Sequence, residues 1–254
     1  MNKSERIKRI FEVISQEGNA STKYLAELLG VSEATVRRDI VNLESDGEIP
    51  MRRVRGGVIF SLEKSGFEPM FDLKLSNMIE EKKKIARIAL DQIDDGDSIF
   101  LDSGTTIYYL AKIMGSKKGI KAVVVDLRVA EELSKHPNIR TIVACGEVRA
   151  GYYSIGGNET VNFLKQFHVE KAFIATDGWN LTGTFNSSDF EVEIKRRMID
   201  LSDKRYLLAD HSKYGKNAFI KVADLGVFDF LITDMDLPKN IVESLNKIGI
   251  KILC

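Results

Sequence analysis

The sequence predicts an α/β chain in two parts: a small amino-terminal winged helix-turn-helix unit over residues 1–60 and a larger Rossmann-like α/β unit over residues 76–254, joined by a linker at 61–75. Three observations predict it. Short amphipathic runs meet at a glycine turn near Gly30, two extended stretches flank Gly56-Gly57, and from Ser98 onward β-branched runs alternate with helical patterns. A chain of 254 residues has room for about two domains.

The first helix carries an apolar stripe of Ile7, Ile10, Phe11 and Ile14 and is ended by Gly18 and Asn19. Ser21 or Thr22 caps a second helix whose apolar face is Leu25, Leu28 and Leu29. Gly30 and Val31 then form a tight turn into a third helix, capped by Ser32 and ending near Asp46-Gly47. In that helix Val36, Ile40 and Leu43 recur at i, i+4 and i+7, which is one buried face. At about 100° per residue, Ala34, Arg38, Asn42 and Ser45 project from the opposite face, with Thr35 and Arg37 beside it. Small, hydroxyl and guanidinium side chains on an uncrowded face suit a helix lying in the DNA major groove. Arginine donates in bidentate fashion to guanine, and short residues let the backbone approach. Arg38 and its face are therefore the expected readers of base sequence.

Met51 to Arg55 and Val58 to Phe60, flanking Gly56-Gly57, predict a β-hairpin wing. Arg52, Arg53 and Arg55 cluster there and, with Arg37, suit phosphate contacts that position a module without reading sequence. The same triplet also fits a solvated hairpin surface. Bulk charge makes no case for nucleic acid, since 37 Lys or Arg cancel 37 Asp or Glu. Even residues 1–60 hold ten basic against nine acidic residues, so any positive surface is local.

Gly66 and Pro69 interrupt the aperiodic linker, and a Lys-rich amphipathic helix is expected from Asn77 to Ile93, with Glu80 to Lys84 on a solvated face. Strands are expected at Ser98–Leu101, Ala122–Val125, Ile139–Ala144, Lys171–Ala175, Tyr206–Ala209 and Phe230–Thr233. Helices are expected at Thr105–Met114, Val129–Lys135, Glu159–Phe167, Glu191–Leu201 and Lys239–Ile248. Nearly continuous apolar strands separated by helices imply a parallel sheet covered on both faces, with a ligand site at the carboxyl ends of its strands. Cys145 and Cys254 set no disulfide or zinc-ligand spacing and read as buried or inert thiols in a reducing compartment. Neither a signal peptide nor a membrane-length apolar run is visible, so the expected location is the cytoplasm and no membrane partner is expected.

Asp102 leads directly into Ser103-Gly104-Thr105-Thr106 and then a helix. That arrangement aims backbone N–H groups, hydroxyls and a helix dipole at one point and suits an anion, most simply a phosphate. The same residues also cap helices that bind nothing. After another strand, Asp210 could accept from a ligand hydroxyl and Lys213 could pair with its phosphate, or the segment is a polar turn. Asp177, before Gly178, offers a third wall or another turn. His211 reads equally as an acid-base group or a turn residue, while His136 and His168 have no visible partner. Neither a Gly-x-Ser-x-Gly elbow nor a His-Glu-x-x-His site occurs, so no catalytic residue, metal site or cofactor is expected.

The chain resembles the DeoR family of bacterial transcriptional regulators. The resemblance rests on Glu5-Arg6, the Val31–Ile40 helix, Leu43-Glu44 with Gly47, and Gly56-Gly57. It continues through Lys83 or Lys84 with Ile85-Ala86, Leu101 to Thr106, Gly146 with Arg149, and Asp210 to Gly215. It implies an operator-binding domain, a sensor similar in fold to pentose-phosphate isomerases, a phosphorylated sugar or sugar derivative as effector, and a homo-oligomer on paired operator sites. Asp126 and Gly146 join the expected effector site. Three departures are visible. Val124-Val125 precede Asp126 where the family usually has Thr-Asn, Cys145 replaces the first glycine of a pair, and the segment from Gly47 to Gly56 is longer than usual. Asp126 would favour a hydroxyl or amine and repel a second anion. The expected function is a repressor of sugar-metabolism genes released by its effector. The alternatives are an isomerase-like enzyme with an accessory DNA-binding domain and a protein-interaction module, which would leave Arg38 and the wing arginines without a role.

Overall fold

The computed structural model describes residues 2–17, 19–46, 51–60 and 70–254, which form two compact units, Met1–Asn77 and Met78–Cys254. The expectations placed on Gly18, Gly47 and the segment 61–69, and on the side chains of Ser45 and Arg52, lie outside the described residues.

The first unit contains α1 (Lys3–Glu17), β1 (Asn19–Ser21), α2 (Thr22–Leu29), α3 (Glu33–Asp46), β2 (Met51–Val54), β3 (Gly57–Phe60) and α4 (Phe71–Leu75). Ile10, Phe11 and Ile14 of α1 meet Leu25 and Leu29 of α2, Val36, Ile40 and Leu43 of α3, and Val58 of β3 in one core. Ser21 caps α2 by accepting from the Tyr24 N–H at 3.0 Å, and Gly30, at φ 63°, closes it. Leu28 departs from the expected buried face and is exposed. Burial in α2 follows Thr22, Leu25, Ala26 and Leu29, the i, i+3, i+4, i+7 stripe, and Leu28 falls outside it. β2 and β3 form the expected antiparallel hairpin, and β1 joins β3 on its other edge. Gly57 is required there, because a Cβ would stand 2.4 Å from the Ala20 carbonyl oxygen of the neighbouring strand. Within the stretch read as a linker, Phe71–Leu75 forms a short helix whose Phe71 is buried.

The second unit contains α5 (Ile79–Asp91), β4 (Ser98–Leu101), α6 (Thr105–Ile113), β5 (Ile120–Val124), α7 (Leu127–Leu133), β6 (Ile139–Val143), β7 (Glu147–Val148), β8 (Ile155–Gly156), α8 (Asn158–Leu164), β9 (Val169–Ala175), β10 (Gly178–Asn180), β11 (Gly183–Asn186), α9 (Val192–Asp200), β12 (Ser202–Leu208), β13 (Ile220–Ala223), β14 (Phe230–Ile232), α10 (Lys239–Lys247) and β15 (Lys251–Leu253). A seven-stranded sheet runs β15-β14-β12-β9-β4-β5-β6, with every pair parallel. The chain builds outward from β4 through β5 to β6, then returns to β9 on the other side of β4 and builds the opposite way. Right-handed crossovers therefore place helices on both faces, and the order reverses between β4 and β9. Phe173, Tyr206 and Phe230 stack in register across three strands, with ring centroids 4.9 and 4.6 Å apart. The hairpin of β7 with β8, the small antiparallel sheet β10-β11-β13 and the edge strand β15 were not expected. Each strand has only two to four residues, too few to display a period.

Candidate DNA-binding surface and effector site

On α3 the buried side is Val36, Asp39, Ile40 and Leu43, while Ala34, Arg37 and Arg38 are exposed and Thr35 and Asn42 half-buried. Ser32 accepts from the Thr35 N–H at 3.2 Å, and its hydroxyl lies 2.9 Å from that of Thr35. Arg37 is tied to Glu33, one turn back, at 2.7 Å. Arg38 makes no hydrogen bond or ion pair among the described residues, so all its donors face outward. Asp39 was not recognised as structural from the sequence. It is buried and grips Arg6 of α1 in bidentate fashion at 2.7 and 3.2 Å, which fixes how α3 is presented. Arg53 and Arg55 are exposed on the hairpin. A groove of about 450 Å³ between α3 and the hairpin is lined by Arg37, Ile40, Arg53 and Arg55 among others.

The carboxyl edge of the large sheet collects the expected acidic residues. In sheet order they are Asp210 after β12, Asp177 after β9, Asp102 after β4 and Asp126 after β5. Asp102 sits at the reversal point and is fully buried. Its Oδ2 accepts from the Ala175 N–H at 2.9 Å and from the Lys195 ammonium of α9, while Oδ1 has no partner among the described residues. Burial alone would push Lys195 down, but the charges of Asp102 and Glu191 outweigh it and hold the ammonium above its ordinary value. Lys195 lay inside an expected helix and gave no sign of this role; only folding brings α9 over the end of β4.

Ser103, Thr105 and Thr106 are buried, and their hydroxyls make no hydrogen bond among the described residues. The helical ladder of α6 begins with the Tyr108 N–H donating to Gly104, so the N–H groups of Thr105 and Thr106 precede it, and no side chain caps them. Gly104, at φ 120°, donates its N–H to Asp126 at 3.3 Å. Asp126 also caps α7 through the N–H groups of Arg128 and Val129. Asp177 accepts from the Ser187 N–H at 2.9 Å, and Asp210 caps a short turn by accepting from Ser212. Past that turn the loop carrying Lys213 and Lys216 lies against Gly178-Trp179, where the Gly215 N–H donates to the Trp179 carbonyl. Lys216 is exposed, and partial desolvation where the loop packs, then the Lys213 charge, lowers it from its ordinary value. Lys216 is thus a second cation that the sequence reading missed. Gly146 has a packing reason: a Cβ there would stand 2.1 Å from the Thr160 hydroxyl and 2.4 Å from the Gly156 carbonyl.

The histidines correct the expectation that two of them lack partners. His136 reaches the Ala111 carbonyl at 3.1 Å, and His168 lies 2.7 Å from Asp203. His211 meets Asp234 through its Nδ1 at 2.7 Å and its backbone N–H at 2.6 Å. The hydrogen bond to Asp234 raises the imidazole above its ordinary 6.5. The stability from this pair is therefore complete below pH 6.5 and lost as pH rises through the raised folded value. Asp234→Asn is expected to erase that dependence in melts recorded between pH 5 and 9. Melting profiles that remain parallel would refute the assignment. Both cysteines are exposed rather than buried, and Cys254 is pushed up by its hydrogen bond to Asp236 and held as a thiol. Among the described residues no cluster is arranged to hold a metal ion, and no helix is long and apolar enough to cross a membrane.

A DeoR-like helix-turn-helix domain matches residues 6–64, and a DeoR C terminal sensor domain matches residues 77–235. The chain belongs to the DeoR family. This DeoR-family protein is a DNA-binding transcriptional regulator with an amino-terminal helix-turn-helix and a carboxyl-terminal sensor. It is 35% identical to a putative sgc region transcriptional regulator of Escherichia coli (strain K12), over 96% of this chain and 94% of that one. It is 31% identical to the glycerol-3-phosphate regulon repressor of the same organism, over 96% of each. A solved D-ribose-5-phosphate isomerase in complex with phospho-erythronic acid aligns with 54% of this DeoR-family chain and 55% of its own, at 18% identity and TM-score 0.41.

Proposed function

We infer that this DeoR-family chain represses genes of sugar metabolism from the cytoplasm, as a homo-oligomer, and releases its operator when a phosphorylated sugar or sugar derivative binds the carboxyl edge of the sensor sheet. One observation carries the effector reading: the uncapped first turn of α6, whose Ser103, Thr105 and Thr106 are buried residues with unpartnered hydroxyls among the described residues, lies at the β4/β9 reversal point. A helix N-terminus with unpaired N–H groups stabilises an anion, and a reversal point leaves a crevice for it. The Lys213–Lys216 loop adds positive charge, and the aspartates offer acceptors to sugar hydroxyls. A repressor of a glycerol-3-phosphate regulon among the relatives supports the ligand class. Binding without turnover is favoured because Lys195, buried against Asp102, is held protonated and so is not a base.

Thr105→Val and Lys213→Ala are expected to leave operator affinity unchanged and to raise the effector concentration needed for release at least tenfold. Gel-shift titrations with a panel of sugar phosphates measure both quantities. A variant that responds at the wild-type effector concentration would overturn the site, and turnover of a pentose or hexose phosphate would overturn the sensing role.

A further inference from the structure

Asp126 stands out within this edge because it is a fully buried carboxylate that forms no ion pair among the described residues. All its hydrogen bonds come from backbone N–H groups: Gly104 at 3.3 Å, Arg128 at 2.7 Å and Val129 at 3.0 Å. The Gly104 N–H belongs to the same loop as the N–H groups of Thr105 and Thr106, which precede the α6 ladder and have no side-chain cap. A carboxylate and an effector anion would then draw on one short run of backbone donors, and two like charges at that spacing cannot both be held away from water.

We propose that Asp126 sets the charge class of the effector: the site takes a dianionic group together with one proton, which settles on the Asp126 carboxyl. The inference rests on the anion reading of the α6 N-terminus. The surroundings leave Asp126 as the acceptor of that proton. From the β4 side it faces Asp102, an ionised carboxylate already paired with Lys195. On its own helix Arg128 pairs with Glu131 at 3.3 Å and lies over the Tyr153 ring. From the segment before β8, Ser154 bridges to it and donates to Glu191, which Arg149 neutralises. Beyond β6, the Cys145 thiol donates to the Glu159 carbonyl. Burial is the largest influence on Asp126; it outweighs the three N–H donors and, with the Asp102 charge, pushes the carboxyl up to about 7. Below that value the site is already protonated and binding is flat with pH. Above it each unit of pH weakens dianion binding up to tenfold, because the proton must be taken from solution.

Sulfate is the probe, since it stays a dianion across the range where phosphate itself titrates. Calorimetric titrations of the full chain from pH 5.5 to 9, in buffers of different ionisation enthalpy, give affinity and protons taken up; Thr105→Val marks the portion of binding that belongs to the sensor. The expected result is Thr105-dependent sulfate binding that weakens up to tenfold per pH unit above 7 with proton uptake at pH 8. Asp126→Asn is expected to bind at least tenfold tighter at pH 9, with neither slope nor uptake. If Asp126→Asn does not fold, Asp126→Ser, which keeps an oxygen to cap α7 but has no titrating carboxyl, takes its place with the same expectations. Thr105-dependent binding without slope or uptake, or a slope that survives Asp126→Asn, overturns the proposal and leaves the anion site standing. No Thr105-dependent binding at any pH overturns the anion site and this proposal with it.

Discussion

Lys195→Met is expected to destabilise the sensor by about 3–5 kcal/mol, because it leaves the Asp102 carboxylate as an uncompensated charge at the centre of the sheet. Asp102 has nowhere to turn: it is fully buried, one oxygen is already unpartnered, and the other would keep only the Ala175 N–H. For a domain of this size the loss corresponds to roughly 6–20 °C in the melting temperature of the sensor transition. Adding Asp102→Leu is expected to restore much of it, since replacing a buried pair outright avoids the isolated charge. Urea titrations of the single and double variants measure this. A Lys195→Met loss under about 1 kcal/mol would show that the pair is not what anchors the end of β4 to the end of β9.

Arg38→Ala is expected to cost about 1–3 kcal/mol of discrimination, roughly five- to 150-fold, between the operator and unrelated DNA, with little change in fold. The expectation follows from contrast within one helix. Arg37 is committed to Glu33, whereas Arg38, one residue on, is exposed and unpaired among the described residues. Arg53→Ala is expected to differ in kind, weakening all duplexes alike and lowering the slope of log affinity against log salt by about 1. Gel shifts on operator and random duplexes at several salt concentrations separate the two. A uniform loss for Arg38→Ala would make it a phosphate contact rather than a reader.

Much of this molecule is legible in its amino-acid order because the relevant signals are local. Val36, Ile40 and Leu43 repeat with the helical period, Gly30 permits a left-handed turn, and Ser21 and Ser32 cap the helices that follow them. The β4–α6 loop is legible for the same reason, since strand, Ser-Gly-Thr-Thr and helix lie side by side in sequence. Leu28 shows the limit: its apolarity is visible, but which neighbours claim the helix face is not. The short strands β7, β8, β10, β11, β13 and β15 were missed because two to four residues cannot show alternation, and their pairing depends on partners elsewhere in the chain.

Sequence by itself determined the two-unit α/β organisation, the helix-turn-helix with its hairpin and the Ser103–Thr106 loop between β4 and α6, since each rests on residues within one turn or one strand of each other. Only the tertiary structure decided that Lys195 meets Asp102, that Arg6 grips Asp39, that the Lys213–Lys216 loop lies against Trp179, and that Asp126 accepts from Gly104 of the β4–α6 loop. Those contacts join residues 22 to 93 positions apart, and burial and charge shifts are properties of such neighbourhoods. Periodicity sets which way a side chain points; what it points at, and whether water remains there, depends on how distant segments pack.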